Sequence, residues 1–181
     1  MAEEYFDVLD ENGNKTGKTK LRGEVHRDGD WHKSVHIWIL NEKGEVLLQR
    51  RCPTKDSNPN MLDISCAGHL TAGDDSLAGA VRELKEELDL DVRPEELKYI
   101  DTFRVSKHYT ESFFNQEFQD MYVLCTSKTI NEMRFQKSEI SEIMFVPYKK
   151  FKDMVASRQP DLLIHDGEMK ALFKLFDPIY A

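Results

Sequence analysis

Gly68-His69-Leu70-Thr71-Ala72-Gly73-Asp74-Asp75-Ser76-Leu77-Ala78-Gly79-Ala80-Val81-Arg82-Glu83-Leu84-Lys85-Glu86-Glu87-Leu88-Asp89-Leu90 is the stretch that decides how this chain folds. A glycine-containing turn leads into an amphipathic helical pattern. Each helical residue advances about 100° around the axis, so Leu77, Val81, Leu84 and Leu88 form one stripe that faces a core. Glu83 and Glu87, four apart, stack on consecutive turns with Glu86 beside them. This acidic patch can line a cleft while the apolar stripe holds the helix down. Carboxylates this close repel one another, and the cluster costs stability unless a cation sits among them. Hard cations such as magnesium take carboxylate oxygens and are commonly shared with substrate phosphates. The bland reading of Arg-Glu-Leu-Lys-Glu-Glu taken alone is a solvated helix face. Ser76 is the expected N-cap, with Asp74 and Asp75 near the positive end of the helix.

Gly68, Arg82, Glu83, Leu84, Glu86, Glu87 and Leu90 also stand at the spacing of a known motif, and the window resembles the Nudix box: Gly, five residues, Glu, seven residues, Arg-Glu-apolar-x-Glu-Glu-x-Gly-apolar. Two positions depart from it. Asp74 keeps the charge of the usual glutamate on a shorter arm, which weakens the expected pairing with Arg82. Asp89 replaces the usual helix-ending glycine, and Asp enters the left-handed region less readily than Gly. The resemblance implies an α/β protein, the Nudix α/β/α sandwich around a mixed β-sheet. It implies that Glu83, Glu86 and Glu87, with the Gly68 carbonyl, hold magnesium or manganese, and that Arg82 belongs to the same machinery.

A wider resemblance runs from about Asp7 to Tyr148. His26-Arg27-Asp28-Gly29-Asp30-Trp31-His32, Val35-His36-Ile37-Trp38, Leu48-Gln49-Arg50-Arg51 and Cys66-Ala67-Gly68-His69 make the chain similar to the Nudix branch that includes type 1 isopentenyl-diphosphate isomerase. That likeness places His26, His32, His69 and Glu117 at a second divalent-metal site, and Arg51 and Lys55 at positions that contact a diphosphate. The isomerase's reactive cysteine does not carry over: Ala67 occupies its place and Cys66 is one residue away, which on a strand is the opposite face. Gln119 stands where the isomerase has a second glutamate, and an amide cannot move a proton as a carboxyl group does. Retained hydrolase carboxylates with a lost acid–base pair favour phosphate chemistry over alkene protonation.

The function expected is hydrolysis of a diphosphate linkage in a nucleoside diphosphate or a derivative of one by an activated water. An isopentenyl-diphosphate isomerase-like enzyme and a non-catalytic nucleotide-binding regulatory module are the alternatives. Composition fits one domain, residues 1–181, with the N-terminal hairpin of residues 1–32 as an extension. The formal net charge of -8, from 25 Lys and Arg against 33 Asp and Glu, argues against a nucleic-acid partner while leaving room for a small phosphorylated substrate. Cys52, Cys66 and Cys125 have neither metal-like nor disulfide-like spacing, which suits a reducing cytoplasm. The start Met1-Ala2-Glu3-Glu4 lacks the features of a secretory signal, and no stretch approaches membrane-spanning length, so no membrane partner is expected. Oligomeric state is open.

Patterns along the chain alternate. Tyr5 to Asp10 and an arm reaching Lys20 form a hairpin around Glu11-Asn12-Gly13-Asn14. Asp10-x-Asn12-x-Asn14 opens like a calcium loop, but Lys15 and Leu21 stand where that loop needs glycine and an acidic residue. Strands are expected at Lys33–Leu40, Glu45–Arg51, Leu62–Ser65, Leu97–Tyr109, Phe114–Ser127 and Glu139–Pro147, and helices at Tyr148–Ser157 and Glu168–Phe176. His36, alternating with Val35 and Ile37, reads as a core or surface histidine. Trp31 and Trp38 read as packing residues.

Overall fold

The computed structural model describes residues 3–55 and 57–180. Met1 and Ala2 of the leader reading, and Ala181 at the end of the expected domain, lie outside them. The molecule is built around β3 (Trp31–Asn41), whose run of β-branched and aromatic residues is buried on both sides of the pleat. On one flank β3 lies parallel to β8 (Phe113–Thr126), in register from Trp31↔Gln116 to Asn41↔Thr126. Its other flank meets three antiparallel partners in turn: β1 (Tyr5–Leu9) at Trp31, β6 (Cys66–His69) from Ser34 to Ile37, and β4 (Glu45–Arg51) at Leu40. The sheet is completed by β2 (Lys15–Leu21) on β1, β5 (Leu62–Asp63) and β9 (Ile140–Pro147) on β4, and β7 (Leu97–Thr110) on β8. The sheet is mixed, as expected.

Strand alternation divides the core into two layers. Val35, Ile37 and Ile39 face α2 (Ser76–Leu88), where Leu84 and Leu88 are fully buried and Leu77 and Val81 pack at the margin. Trp38 and Leu40 point the other way, with Met121 and Val123 of β8, onto α3 (Tyr148–Ala156) and α4 (Asp166–Tyr180). Helices on both faces of a mixed sheet make the α/β/α sandwich.

The hairpin turn is an Asx-type turn rather than a calcium loop: Asp10 Oδ1 accepts from the backbone N–H of Asn12 at 2.8 Å and of Asn14 at 2.9 Å. Two features differ from expectation. The Leu62–Ser65 strand is interrupted, because the Ser65 hydroxyl, accepting from Ile39 N and donating to the Leu47 carbonyl, substitutes for a ladder bond. A short helix, α1 (Arg22–Asp28), follows β2 and ends at Gly29 in the left-handed region, φ 71°. Val25 is its one aliphatic residue, too little for a period to show, and it is buried with Phe6 and Val8.

Candidate active site

The helix of the box is held by its cap and its neighbours. Asp75, not Ser76, is the N-cap: its carboxylate accepts from the N–H groups of Leu77 and Ala78. Ser76 is the first helical residue, and its hydroxyl donates to Asp120 at 2.5 Å instead. A carboxylate competes better than a hydroxyl for the cap where both are available, because its charge also meets the helix dipole. At the other end Asp89 adopts the left-handed cap itself, φ 52°, with Lys85 on its carboxylate at 2.6 Å.

This frame buries Glu83 and Glu87 and leaves Glu86 exposed. Burial pushes Glu83 up to about 7, against the pull of Arg82. Burial and the adjacent Glu83 push Glu87 up to about 8. Both shifts mean that negative charge is disfavoured on these carboxyls where water does not solvate them. Arg82 is the cation within reach, at 2.8 Å from Glu83 and 3.0 Å from Glu86, and it also donates to the His69 carbonyl. Its approach to Asp74 is longer, 3.5 Å, in keeping with the shorter arm. Gly68 lies directly against Glu83, where a Cβ would overlap the carboxyl group. Cys66 is fully buried on the α2 side, and burial together with Glu87 raises its thiol well above the ordinary value. Ala67 turns to the opposite face, toward the Trp38 cluster.

His26, His32 and His69 come together from α1, β3 and β6, with one ring nitrogen of each within 4.8 Å of the others. Glu117 of β8 joins them, its Oε1 2.9 Å from His69 Nε2 and 3.6 Å from His32 Nε2. His26 Nδ1 is paired to the Phe114 carbonyl and His32 Nδ1 to the Asp30 carbonyl, each at 3.1 Å. Such bonds select the tautomer whose Nε2 lone pair faces away from the carbonyl, as backbone carbonyls do for metal-binding histidines. Nε2 of His32 is buried without a hydrogen-bond partner, and Nε2 of His69 meets only Glu117. Burial and the two neighbouring imidazoles push His26 down to about 4. Burial opposes the charge of Glu117 as well, yet the imidazoles hold it well below the usual carboxylate range.

Arg51 and Lys55 are engaged elsewhere in the structure. Arg51 lies 3.1 Å from Asp63 and donates to the Ser57 carbonyl, and Lys55 pairs with Glu139. His36 is buried as a charged partner, its Nδ1 2.7 Å from Glu168, whose second oxygen accepts from Trp38 Nε1 at 2.8 Å. His165 reaches Asp63 at 3.0 Å. Asp63, His165 and Glu168 carried no sequence signal, since each meets its partner across about a hundred residues or more. The one hint was His36, a titratable residue inside an apolar strand that must find a counter-charge somewhere.

The NUDIX domain model matches residues 30–165. The chain belongs to the Nudix family. It is 42% identical over 181 residues to Nudix hydrolase 3 of Arabidopsis thaliana, covering 97% of this chain and 23% of that protein, so it spans about a quarter of that relative's length. It is 29% identical over 121 residues to an isopentenyl-diphosphate Delta-isomerase of Serratia proteamaculans, covering 67% of this chain and 65% of that one. The Nudix branch near the isomerases is therefore the right one. Among solved structures, DR0079 from Deinococcus radiodurans superposes with a TM-score of 0.63 at 22% identity, covering 85% of this chain and 90% of that one, which shows the shared fold.

Proposed function

We propose that this Nudix protein hydrolyses a diphosphate linkage in a nucleoside diphosphate or a derivative of one. The observation that carries the reading is the pair Glu83 and Glu87, buried on one helix face with their acidities pushed toward and above neutral, beside a glycine with no room for a side chain. A buried carboxylate pair kept at such cost suits a divalent cation, and the missing side chain at Gly68 lets the Glu83 carboxyl lie against the β6 backbone. Glu83, Glu86, Glu87 and the Gly68 carbonyl would hold magnesium or manganese. Bound there, the ion supplies positive charge against phosphate oxygens and lowers the pKa of a water. Arg82, tied to Glu83, Glu86 and the His69 carbonyl, orients the carboxylates and locks α2 to β6.

The histidine cluster supports a second divalent metal held by His26, His32, His69 and Glu117, since imidazole and carboxylate suit zinc or manganese and one ring nitrogen of each histidine lies within 4.8 Å of the others beside Glu117. We place Arg51 and Lys55 at the diphosphate only after exchange of their present carboxylate partners. The test is phosphorus NMR with magnesium and a panel of nucleoside diphosphates, nucleotide sugars and isopentenyl diphosphate. Loss of a diphosphate signal with wild type but not with Glu87→Gln is expected. Unchanged phosphate signals with deuterium uptake into isopentenyl diphosphate would establish the isomerase alternative, which Ala67 opposes.

A further inference from the structure

A second group of titratable side chains gathers where α4 begins. His165 immediately precedes that helix and Glu168 stands in its first turn, while His36 comes from the middle of β3. One ring nitrogen of each histidine and a carboxylate oxygen of Glu168 lie within 4.8 Å of one another. The two imidazoles meet edge to face, with ring centroids 5.2 Å apart. The shortest contact is His36 Nδ1 to Glu168 Oε1, at 2.7 Å. None of these residues belongs to the box or to the cluster of His26, His32, His69 and Glu117. His36 follows His32 by four residues on one face of β3, which is about 13 Å along the strand, so one ion cannot serve both groups.

Two of the three donors are oriented from behind. Trp38 Nε1 donates to Glu168 Oε2 at 2.8 Å, which leaves Oε1 turned toward His36. Asp63 Oδ1 holds His165 Nε2 at 3.0 Å, and Arg51 and the Ile64 N–H fix Asp63 in turn. A carboxylate on one ring nitrogen fixes an imidazole and leaves its other nitrogen for an ion, and such outer partners are a mark of metal-binding histidines. An ion also has a way in. His165 is only partly buried and lines a cavity of about 250 Å³ between β7, β8 and the start of α4. We propose that His36, His165 and Glu168 form a further metal site, for a transition dication of the zinc class. Two imidazoles and one carboxylate suit zinc better than magnesium, which prefers oxygen throughout. Three protein donors beside a cavity leave one position for water or for a small anion, which Lys107 on the cavity wall would favour. In the metal-free protein a proton joins His36 to Glu168, and the ion displaces that proton to solvent. Once bound, it pins the start of α4 to β3. The site is independent of the hydrolysis proposed above.

Counting bound zinc tests this without turnover. Chelator-treated wild type and His165→Gln, changed at the most accessible of the three donors, are equilibrated at about 10 μM free zinc, where a site of micromolar affinity is filled. Zinc taken by the box carboxylates or by the other histidine cluster is common to both proteins and cancels in the difference. Wild type is expected to hold one equivalent more than His165→Gln, and His36→Gln is expected to match His165→Gln. Equal counts in wild type and His165→Gln, or in wild type and His36→Gln, would overturn the proposal. If a variant does not fold, cobalt bound to wild type replaces it, because contact-shifted ring protons in the NMR spectrum count the histidines bonded to the ion. Of the six histidines in the chain, five are expected to shift where both clusters hold cobalt and two where only this one does. Any other number would reject the site.

Discussion

Glu87 concentrates the energetics of the site in one residue. Its folded acidity sits near 8 against an ordinary 4.5 because it is buried beside Glu83. The folded chain therefore binds this proton more tightly than the unfolded chain does. The associated stability is full below about pH 4.5 and is lost as pH rises through about 8. Metal-free wild type should melt progressively lower across that window, and Glu87→Gln, which has no charge to bury, should show a flatter profile and a higher melting temperature at pH 8. Differential scanning calorimetry in chelator measures both, and parallel profiles would disprove the account. Gly68 is the second residue of this scale. Gly68→Ala must displace the Glu83 carboxyl, an overpacking that costs about 1–3 kcal/mol. Magnesium affinity should fall with it, as isothermal titration would show.

At the scale of elements, α2 is positioned by contacts that the one-dimensional pattern states unevenly. Its apolar stripe and acidic patch were legible because period and spacing are local properties. The sequence pattern points to a cap one residue too late: two acidic residues and a serine precede the first apolar position, and only the fold shows that Ser76 is claimed by Asp120 and Tyr122. Asp75→Ala should thus cost about 1 kcal/mol in urea unfolding, whereas Ser76→Ala should leave the cap bonds intact and remove the contacts to Asp120 and Tyr122. A larger loss for Ser76→Ala than for Asp75→Ala would reverse the assignment. The strands were legible from their alternation, but α1 was not, since one buried valine cannot display a period. That helix brings His26 to the cluster, so the residues of the histidine site came from resemblance, and their convergence needed the fold.

Across the whole molecule, α4 is held over the sheet by apolar packing through Met169, Leu172 and Phe176 and by a buried ion pair. Glu168 meets His36 and Trp38 from the far end of the chain, about 130 residues away. Burial opposes the charge on His36, but Glu168, with help from Glu117 and Asp63, outweighs it and raises the imidazole to about 9. Burial opposes the charge of Glu168 likewise, and His36 holds its carboxyl below the ordinary value. The histidine's contribution is full below its ordinary 6.5 and is lost as pH rises through about 9. The glutamate's is present above its ordinary 4.5 and is lost as pH falls through its lowered value. Both are in force between about pH 4.5 and 6.5. At pH 6, His36→Leu removes the main counter-charge of buried Glu168 and leaves it Trp38 and the nearby His165, and should cost about 3–5 kcal/mol. Adding Glu168→Leu should recover most of that loss, because two apolar groups of similar size demand no desolvation of charge. Urea unfolding followed by tryptophan fluorescence reads both variants, and the gap between wild type and His36→Leu should narrow above pH 9. A double variant no more stable than His36→Leu would mean that packing, not charge, fastens α4 to β3.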